Sequence, residues 1–459
     1  MKRILILLVL AFAFVAALAL PASADDPITV NSSKFTNNFR TDLTFQLDAQ
    51  SSAGKITQVA VLIQIDGVAA SARQLPDFTA DARVSAKYVW NLLQNYLPPG
   101  VTGKFWWEIQ DDQGNKKLTD KQSFRVDDTQ HTWQKLSNDK IALYWYTGDA
   151  SFGKALFDRA NQAIGFLQQD TGVIIDQQVQ MFIYGSHTDL MKSLSAGANE
   201  WTGGQDFPEY GVVVIGVAPS ELDWGKGATT HELTHQVIHQ KIRSPLGDLS
   251  MPRWMDEGLA VYYETYPGTL DVQFSLPLKR AIQNDGLVPM RTLAGNFPTD
   301  ANAANLAYAQ SYSMVDFIYR HFGKDKMAEI LQQFKIGGAY DDTFQKVLGV
   351  DTDGLDNLWR ADIGAKPRAI PTRNTSQPTP FPTFGLSTDY STPVPAAKVT
   401  ATPQSVAQNA TAVPTTAAVQ SSKSSSSSGG TSIQICNGSM ALIVLGLFGI
   451  VLSRRRRST

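Results

Sequence analysis

The sequence predicts a multidomain chain: an all-β sandwich, an α+β domain, a disordered stalk and one C-terminal transmembrane helix, in that order. Three patterns predict it. Apolar residues alternate with period two between turn residues over 25–130. A few strand-like runs and then almost unbroken helix-period segments occupy 131–365. A Ser/Thr/Pro-rich stretch then leads to a short apolar run closed by four arginines. The 459 residues suffice for two or three domains with cores of their own. The single Cys rules out an intramolecular disulfide framework and any zinc or iron–sulfur site built from cysteines.

At the N-terminus, Lys2 and Arg3 precede an apolar run from Ile4 to Leu20, and Pro21-Ala-Ser-Ala stands before two aspartates. This pattern fits a secretory signal over 1–24, cut after Ala24, with an uncleaved anchor as the alternative. Either reading exports the body.

Residues 25–130 hold Leu43-Thr-Phe-Gln-Leu, then Val59-Ala-Val-Leu-Ile-Gln-Ile followed by Asp66-Gly67. Phe105-Trp-Trp-Glu-Ile follows, with turn residues over 111–114, and last comes Ser123-Phe-Arg-Val. Strands and turns at this spacing read as an antiparallel sandwich of the immunoglobulin or fibronectin type. It shows no cluster of titratable residues, which suits a spacer or substrate-presenting unit.

Within 131–365, Ile141–Tyr146, Val179–Tyr184 and Gly211–Gly216 read as strands, and Phe152–Gln169 as an amphipathic helix. Helices are then expected over Lys226–Ile242, Trp254–Thr265, Leu278–Gln283, Ala307–Phe322, Lys324–Phe334, Thr343–Leu348 and Leu355–Ile363. A sheet followed by helices is an α+β layout with the site where the two meet.

Residues 366–437 are rich in Thr, Ser, Pro, Ala and Gln, too poor in large apolar groups to offset ordering entropy, and read as an extended stalk. The uncharged run 438–453 reads as a transmembrane helix and 454–459 as a basic cytoplasmic tail, which leaves the body on the extracellular or periplasmic side of a cell membrane. The tail, with Cys436 before the apolar run, resembles bacterial C-terminal sorting tails, which implies processing near Cys436. With the basic residues concentrated at the ends, the body is acidic, and nucleic acid is a poor partner for it.

Three of the six histidines fall in His231-Glu-Leu-Thr-His-Gln-Val-Ile-His239. On a helix, His231 and His235 are one turn apart on one face, so both can reach one metal ion, and Glu232 beside them can take a proton from water without being a ligand. His239 lies about 12 Å along the axis from His231, too far to share that ion, and reads as packing or as support for the ligands. A catalytic zinc needs three protein ligands and an open position. Glu257, in Trp254-Met-Asp-Glu-Gly-Leu-Ala, is the candidate third.

This pair of helices resembles the gluzincin metallopeptidases, distantly thermolysin and the aminopeptidase N-like enzymes, and most closely their peptidase MA-like relatives. The resemblance implies a gluzincin-type fold over 131–365, Zn2+ as cofactor, His231, His235 and Glu257 as its ligands and Glu232 as general base. The spacing from His235 to Glu257 is longer than usual there, the surplus falling in Ser244-Pro-Leu-Gly-Asp-Leu-Ser. It also implies a tyrosine donating to the oxyanion, at Tyr308 or, one turn on, Tyr312. A substrate-side edge strand is implied at Gly211–Gly216, preceded by a segment with Gly203 and Gly204 as substrate-binding candidates. The family's exopeptidase motif Gly-x-Met-Glu-Asn is missing, which favours an endopeptidase. The expected function is therefore a membrane-anchored zinc metallopeptidase acting on peptides or proteins. The alternative is a catalytically inactive cell-surface binding or adhesion protein on the same scaffold.

Overall fold

The structure is a computed structural model, and it describes residues 26–195, 203–267, 269–295, 297–298 and 300–370. The expected signal sequence, nearly all of the expected stalk, the apolar run and the basic tail lie outside the described residues. Among the described residues no helix is long and apolar enough to cross a membrane.

The N-terminal region forms two antiparallel sheets. One has the order β1 (Ile28–Asn38), β2 (Asp42–Ser51), β5 (Arg83–Asn91). The other runs β4 (Ala72–Gln74), β3 (Ile56–Ile65), β6 (Thr102–Asp111), β7 (Lys116–Leu118), with β8 (Gln122–Arg125) also on β6. Alternate residues point inward. Leu43, Phe45 and Leu47 of β2 share a core with Val59, Val61 and Ile63 of β3 and Phe105, Trp107 and Ile109 of β6. The expected turn after β6 is tied by Asp111, whose carboxylate accepts from Gln113 N, Asn115 N and Ser51 Oγ at 2.8–3.0 Å.

A third, mixed sheet follows. Its strands are β9 (Gln134–Ser137), β10 (Ile141–Trp145), β11 (Val179–Tyr184), β12 (Gly204–Phe207) and β13 (Val212–Gly216), in the order β12-β13-β11-β10-β9. The inner strands β10, β11 and β13 are parallel, and β9 and β12 pair antiparallel at the edges. Helix α1 (Ala150–Thr171), capped by Asp149 accepting from Phe152 N at 3.0 Å, crosses from β10 to β11, and α2 (His187–Ser193) follows β11. One expectation is corrected here: Gly211–Gly216 is interior, and the edge is β12. Its four residues, Gly-Gln-Asp-Phe, carry neither β-branched residues nor alternation, so nothing local marks them as a strand.

The inner strands are apolar on both faces. Ile141, Leu143 and Trp145, with Met181, Ile183, Val213 and Ile215, face the helices. Ala142, Tyr144, Phe182, Tyr184, Val212 and Val214 join the core of the N-terminal sheets. Tyr184 Oη donates to the buried Asp128 carboxylate at 2.9 Å, fastening the connection between the two regions.

The remaining elements are helical: α3 (Leu222–Ile242), α4 (Gly247–Ser250), α5 (Arg253–Thr265), α6 (Val272–Gln283), α7 (Ala301–Lys335), α8 (Tyr340–Leu348) and α9 (Thr352–Asp362). Helix α6 begins six residues before the expected start. Pro277, the sixth residue after the Asp271 cap, lacks the N–H that would pair with Gln273 O, and it stands immediately before the expected start. The two helices expected over 307–334 form one element interrupted at Gly323 (φ 83°), with an unforeseen first turn capped by Asp300. Past α9, Arg368 N donates to Asn357 Oδ1 at 2.8 Å, so the chain stays on the body beyond residue 365.

Candidate metal centre and active site

Helix α3 is buried on every side from Ala228 to Gln240, although most of that stretch is polar. Polar side chains enter a core when their groups are paired. Thr234 Oγ1 donates to Thr230 O at 2.8 Å, Gln236 Nε2 to Val212 O at 3.1 Å and Gln240 Nε2 to Gln177 O at 2.9 Å. The two glutamine bonds hold the helix against β13 and the 176–178 segment. That lock fixes the direction in which the two histidines project.

His231 Nε2 and His235 Nε2 each lie 3.5 Å from the same oxygen, Glu257 Oε2 of α5. One ligand atom from each of the three residues falls within 4.8 Å of the others, and all three side chains are buried. Zinc ligands at 2.0–2.1 Å in a tetrahedron stand about 3.3–3.4 Å apart. His231 Nε2 and Glu257 Oε2 are buried without a hydrogen-bond partner, as expected of atoms built to face a cation. The donor set of two imidazoles and a carboxylate fits zinc.

The outward ring nitrogens are also held. His231 Nδ1 lies 3.0 Å from Glu264 Oε2, and His235 Nδ1 lies 2.8 Å from Asp256 Oδ1. With those carboxylates accepting, each neutral ring carries its proton on Nδ1 and turns the Nε2 lone pair toward Glu257. Arg253, one turn before Glu257, forms an ion pair with Glu257 Oε1.

These charges set the titration of the metal-free centre. Burial lowers the His231 pKa, but Glu257 and Glu264 together outweigh it and hold it at about 9. His235 is likewise depressed by burial and driven well above the ordinary histidine value by Asp256 and Glu257. Burial raises the Glu257 carboxyl, yet Arg253 and His235 bring it down to about 2.

Glu232 is fully buried, one residue along α3 from His231. Gly204, first residue of the edge strand, lies against it, since a β-carbon there would stand 2.6 Å from Glu232 Oε1. Gly203 precedes the strand, and its carbonyl accepts from Gly216 N at 3.0 Å, which ties it to the end of β13. Tyr308 of α7 is buried with its ring 6.5 Å from that of His231, between Phe297 at 5.2 Å and Phe274 at 6.1 Å. Tyr312 packs instead on Tyr262, 6.0 Å between centroids. The two sequence candidates thus separate: Tyr308 borders the histidines and Tyr312 joins a tyrosine cluster. The approach of α7 to α5 depends on Gly258, where a β-carbon would come within 2.4 Å of Ser311 O.

Sequence reasoning missed Arg253, Asp256 and Glu264. A signal existed for two of them. Arg253, Glu257 and Glu264 are spaced by four and seven residues, which puts them on one face of a helix. Asp206 of β12, also unforeseen, is buried with a raised carboxyl pKa, chiefly through burial, and lies in the field of His235, His239, Asp256 and Arg253.

Residues 159–365 match the family model described as the Peptidase MA superfamily. The match is consistent with a gluzincin-like peptidase domain over this segment, and the three converging donor atoms fit zinc. The chain is 25% identical over 128 residues to the uncharacterized protein YhcO of Bacillus subtilis (strain 168), a match covering 28% of this chain and 37% of that relative's length. Among solved structures, an M1 zinc metallopeptidase from Deinococcus radiodurans is similar with a TM-score of 0.37 and 11% identity. That match covers 72% of this chain and 92% of the other. An aminopeptidase N family protein from Idiomarina loihiensis is similar with a TM-score of 0.34 and 12% identity, over 67% of this chain and 71% of that one.

Proposed function

We propose that the chain is an exported, membrane-anchored zinc-dependent peptidase that cleaves peptide bonds within a polypeptide, with Glu232 as general base. The observation that carries the reading is the convergence of three buried ligand atoms, from His231, His235 and Glu257, beside the buried carboxylate of Glu232. When bound, zinc supplies a Lewis acid that polarises a carbonyl and brings the pKa of water toward neutrality. Glu232 takes the proton of the attacking water and delivers it to the departing amine. Tyr308 donates to the oxygen that gains charge. Strand β12, at the sheet edge, offers backbone groups on which an extended substrate adds as one more strand, with Gly203 and Gly204 at the end nearest Glu232.

Two observations support cleavage within a chain rather than at its N-terminus. The Gly-x-Met-Glu-Asn motif is missing from the sequence. The carboxylate that β12 does carry, Asp206, is buried in the field of His235, His239 and Arg253. Export and anchoring rest on the 1–24 and 438–457 patterns, which leave the body on the outer side of the membrane.

The test is Glu232→Gln in the full-length chain, with zinc content and digestion of N-terminally blocked, internally quenched peptides as readouts. The variant is expected to keep its zinc and lose roughly 10²- to 10⁴-fold in turnover. An unaltered rate overturns the assignment. A wild-type protein that holds zinc and cleaves no peptide returns the adhesion reading.

A further inference from the structure

We propose that His239 is a positioning residue: through Asp256 it fixes the imidazole of His235 and so sets how tightly the centre holds zinc. The inference rests on the reading that His231, His235 and Glu257 are the ligands. His239 stands one turn beyond His235 on α3 and is 7% exposed. Its Nε2 lies 3.6 Å from Asp256 Oδ1, the same oxygen that meets His235 Nδ1 at 2.8 Å. A single carboxylate oxygen is therefore shared by two imidazoles. One of them presents its opposite nitrogen 3.5 Å from Glu257 Oε2.

The arrangement has a physical purpose that packing alone does not supply. Leu233, Val237 and Ile238 on the same helix fill the core with apolar groups, and an aliphatic residue at 239 would do likewise. A buried imidazole carries a desolvation cost that only a partner offsets. Asp256 is buried on α5 directly before Glu257, and a carboxylate held by one donor is free to turn about its own axis. A second imidazole nitrogen 3.6 Å from the same oxygen, within ion-pair reach though longer than a hydrogen bond, restricts that freedom. The ring of His235 is then aimed from behind by a carboxylate that has two imidazole neighbours rather than one.

The residues His235, His239 and Asp256 also stand close enough to hold an ion themselves, so the experiment counts metal as well as measuring affinity. Full-length wild type, H235A, H239L, H239Q and H239N are compared by zinc stoichiometry, by zinc affinity in competition with a chelator, and by the melting midpoint of the metal-free protein. One zinc per chain is expected in wild type. H239L is expected to weaken affinity about tenfold, while H239Q, whose amide reaches the place of Nε2, stays within about twofold of wild type. A residue that only packs would not distinguish H239Q from H239L except through the melting midpoint. Unaltered affinity in H239L overturns the proposal, as do equal losses in H239L and H239Q, or two zinc ions per chain. Should H239L not fold, H239Q against H239N decides, because the Asn amide falls a bond short, and equal affinities of those two overturn it. H235A keeps the underlying reading separate. Tight zinc in H235A, or none in wild type, removes the metal centre itself, whereas loss in H235A with none in H239L removes only the role of His239.

Discussion

Gly204 and Glu232 occupy one space: the edge strand has no side chain at the point where the carboxylate of the metal helix lies. A β-carbon on Gly204 would stand 2.6 Å from Glu232 Oε1 and 3.0 Å from its Cδ. Both atoms are buried, so neither residue has room to yield toward solvent. The strand proposed to bind substrate and the group proposed to move the proton are thus held in register by the absence of a methyl group.

Gly204→Ala is therefore expected to displace the carboxylate and leave the ligands alone. Turnover should fall by at least about tenfold while zinc content and KM change little, since about 1 Å of misplacement costs up to a hundredfold. Steady-state kinetics beside metal analysis checks this, and an unaltered kcat would show that Glu232 tolerates the shift.

Tyr308→Phe removes one hydroxyl and little volume. If that hydroxyl serves the oxyanion, kcat drops about a hundredfold with zinc and KM retained. Tyr312→Phe, on the Tyr262 side of the helix, should be silent in the same assay. Equal losses in the two would dissolve the distinction drawn between them.

Zinc and protons compete for the same nitrogens. Metal-free His231 has a pKa of about 9, raised above the ordinary 6.5 because Glu257 and Glu264 outweigh burial. Its protonated ring stabilises the metal-free fold fully below 6.5, and that contribution is lost as pH rises through 9. Zinc needs the neutral ring, so its apparent affinity should climb about tenfold per pH unit for each proton displaced, from 6.5 to about 9. His235 is raised as well, which makes the slope one proton or steeper. Chelator competition at three pH values reads it, and a flat profile would contradict the charge arrangement described.

Gly258→Ala forces α5 and α7 apart, because the new carbon would meet Ser311 O at 2.4 Å and Val315 Cγ2 at 2.7 Å. The strain should cost about 1–3 kcal/mol of stability, and since Tyr308 rides on α7, kcat should fall further than KM rises. Thermal melting and kinetics on the same preparation separate the two effects.

What the sequence disclosed followed from how local each signal was. Val179–Tyr184 matches its expected strand end for end, and α1 and α5 lie within two residues of their expected bounds, because apolar period and caps are written in the segment itself. The candidate metal ligands were legible because His231 and His235 lie one turn apart on one helix. Strand β12 was not, since its place at the edge is decided by pairing with β13 and by the carboxylate behind it rather than by its own residues. Glu264 and Asp256 support their histidines from another helix, a relation that only the packing of α5 on α3 creates. The run Val212–Ile215 carried an unread message: a strand apolar at every position is covered on both faces.

That double cover bears on how such a chain is able to evolve. Interfaces between separable domains are more polar than those between obligate partners. Here Tyr144, Phe182, Val212 and Val214 belong to the core of the N-terminal sheets while their immediate chain neighbours belong to the peptidase core. The N-terminal sheets therefore cannot be exchanged or lost as a module without rewriting alternate positions on three strands at once. Without those sheets, the apolar outer face of β10, β11 and β13 would be left to water.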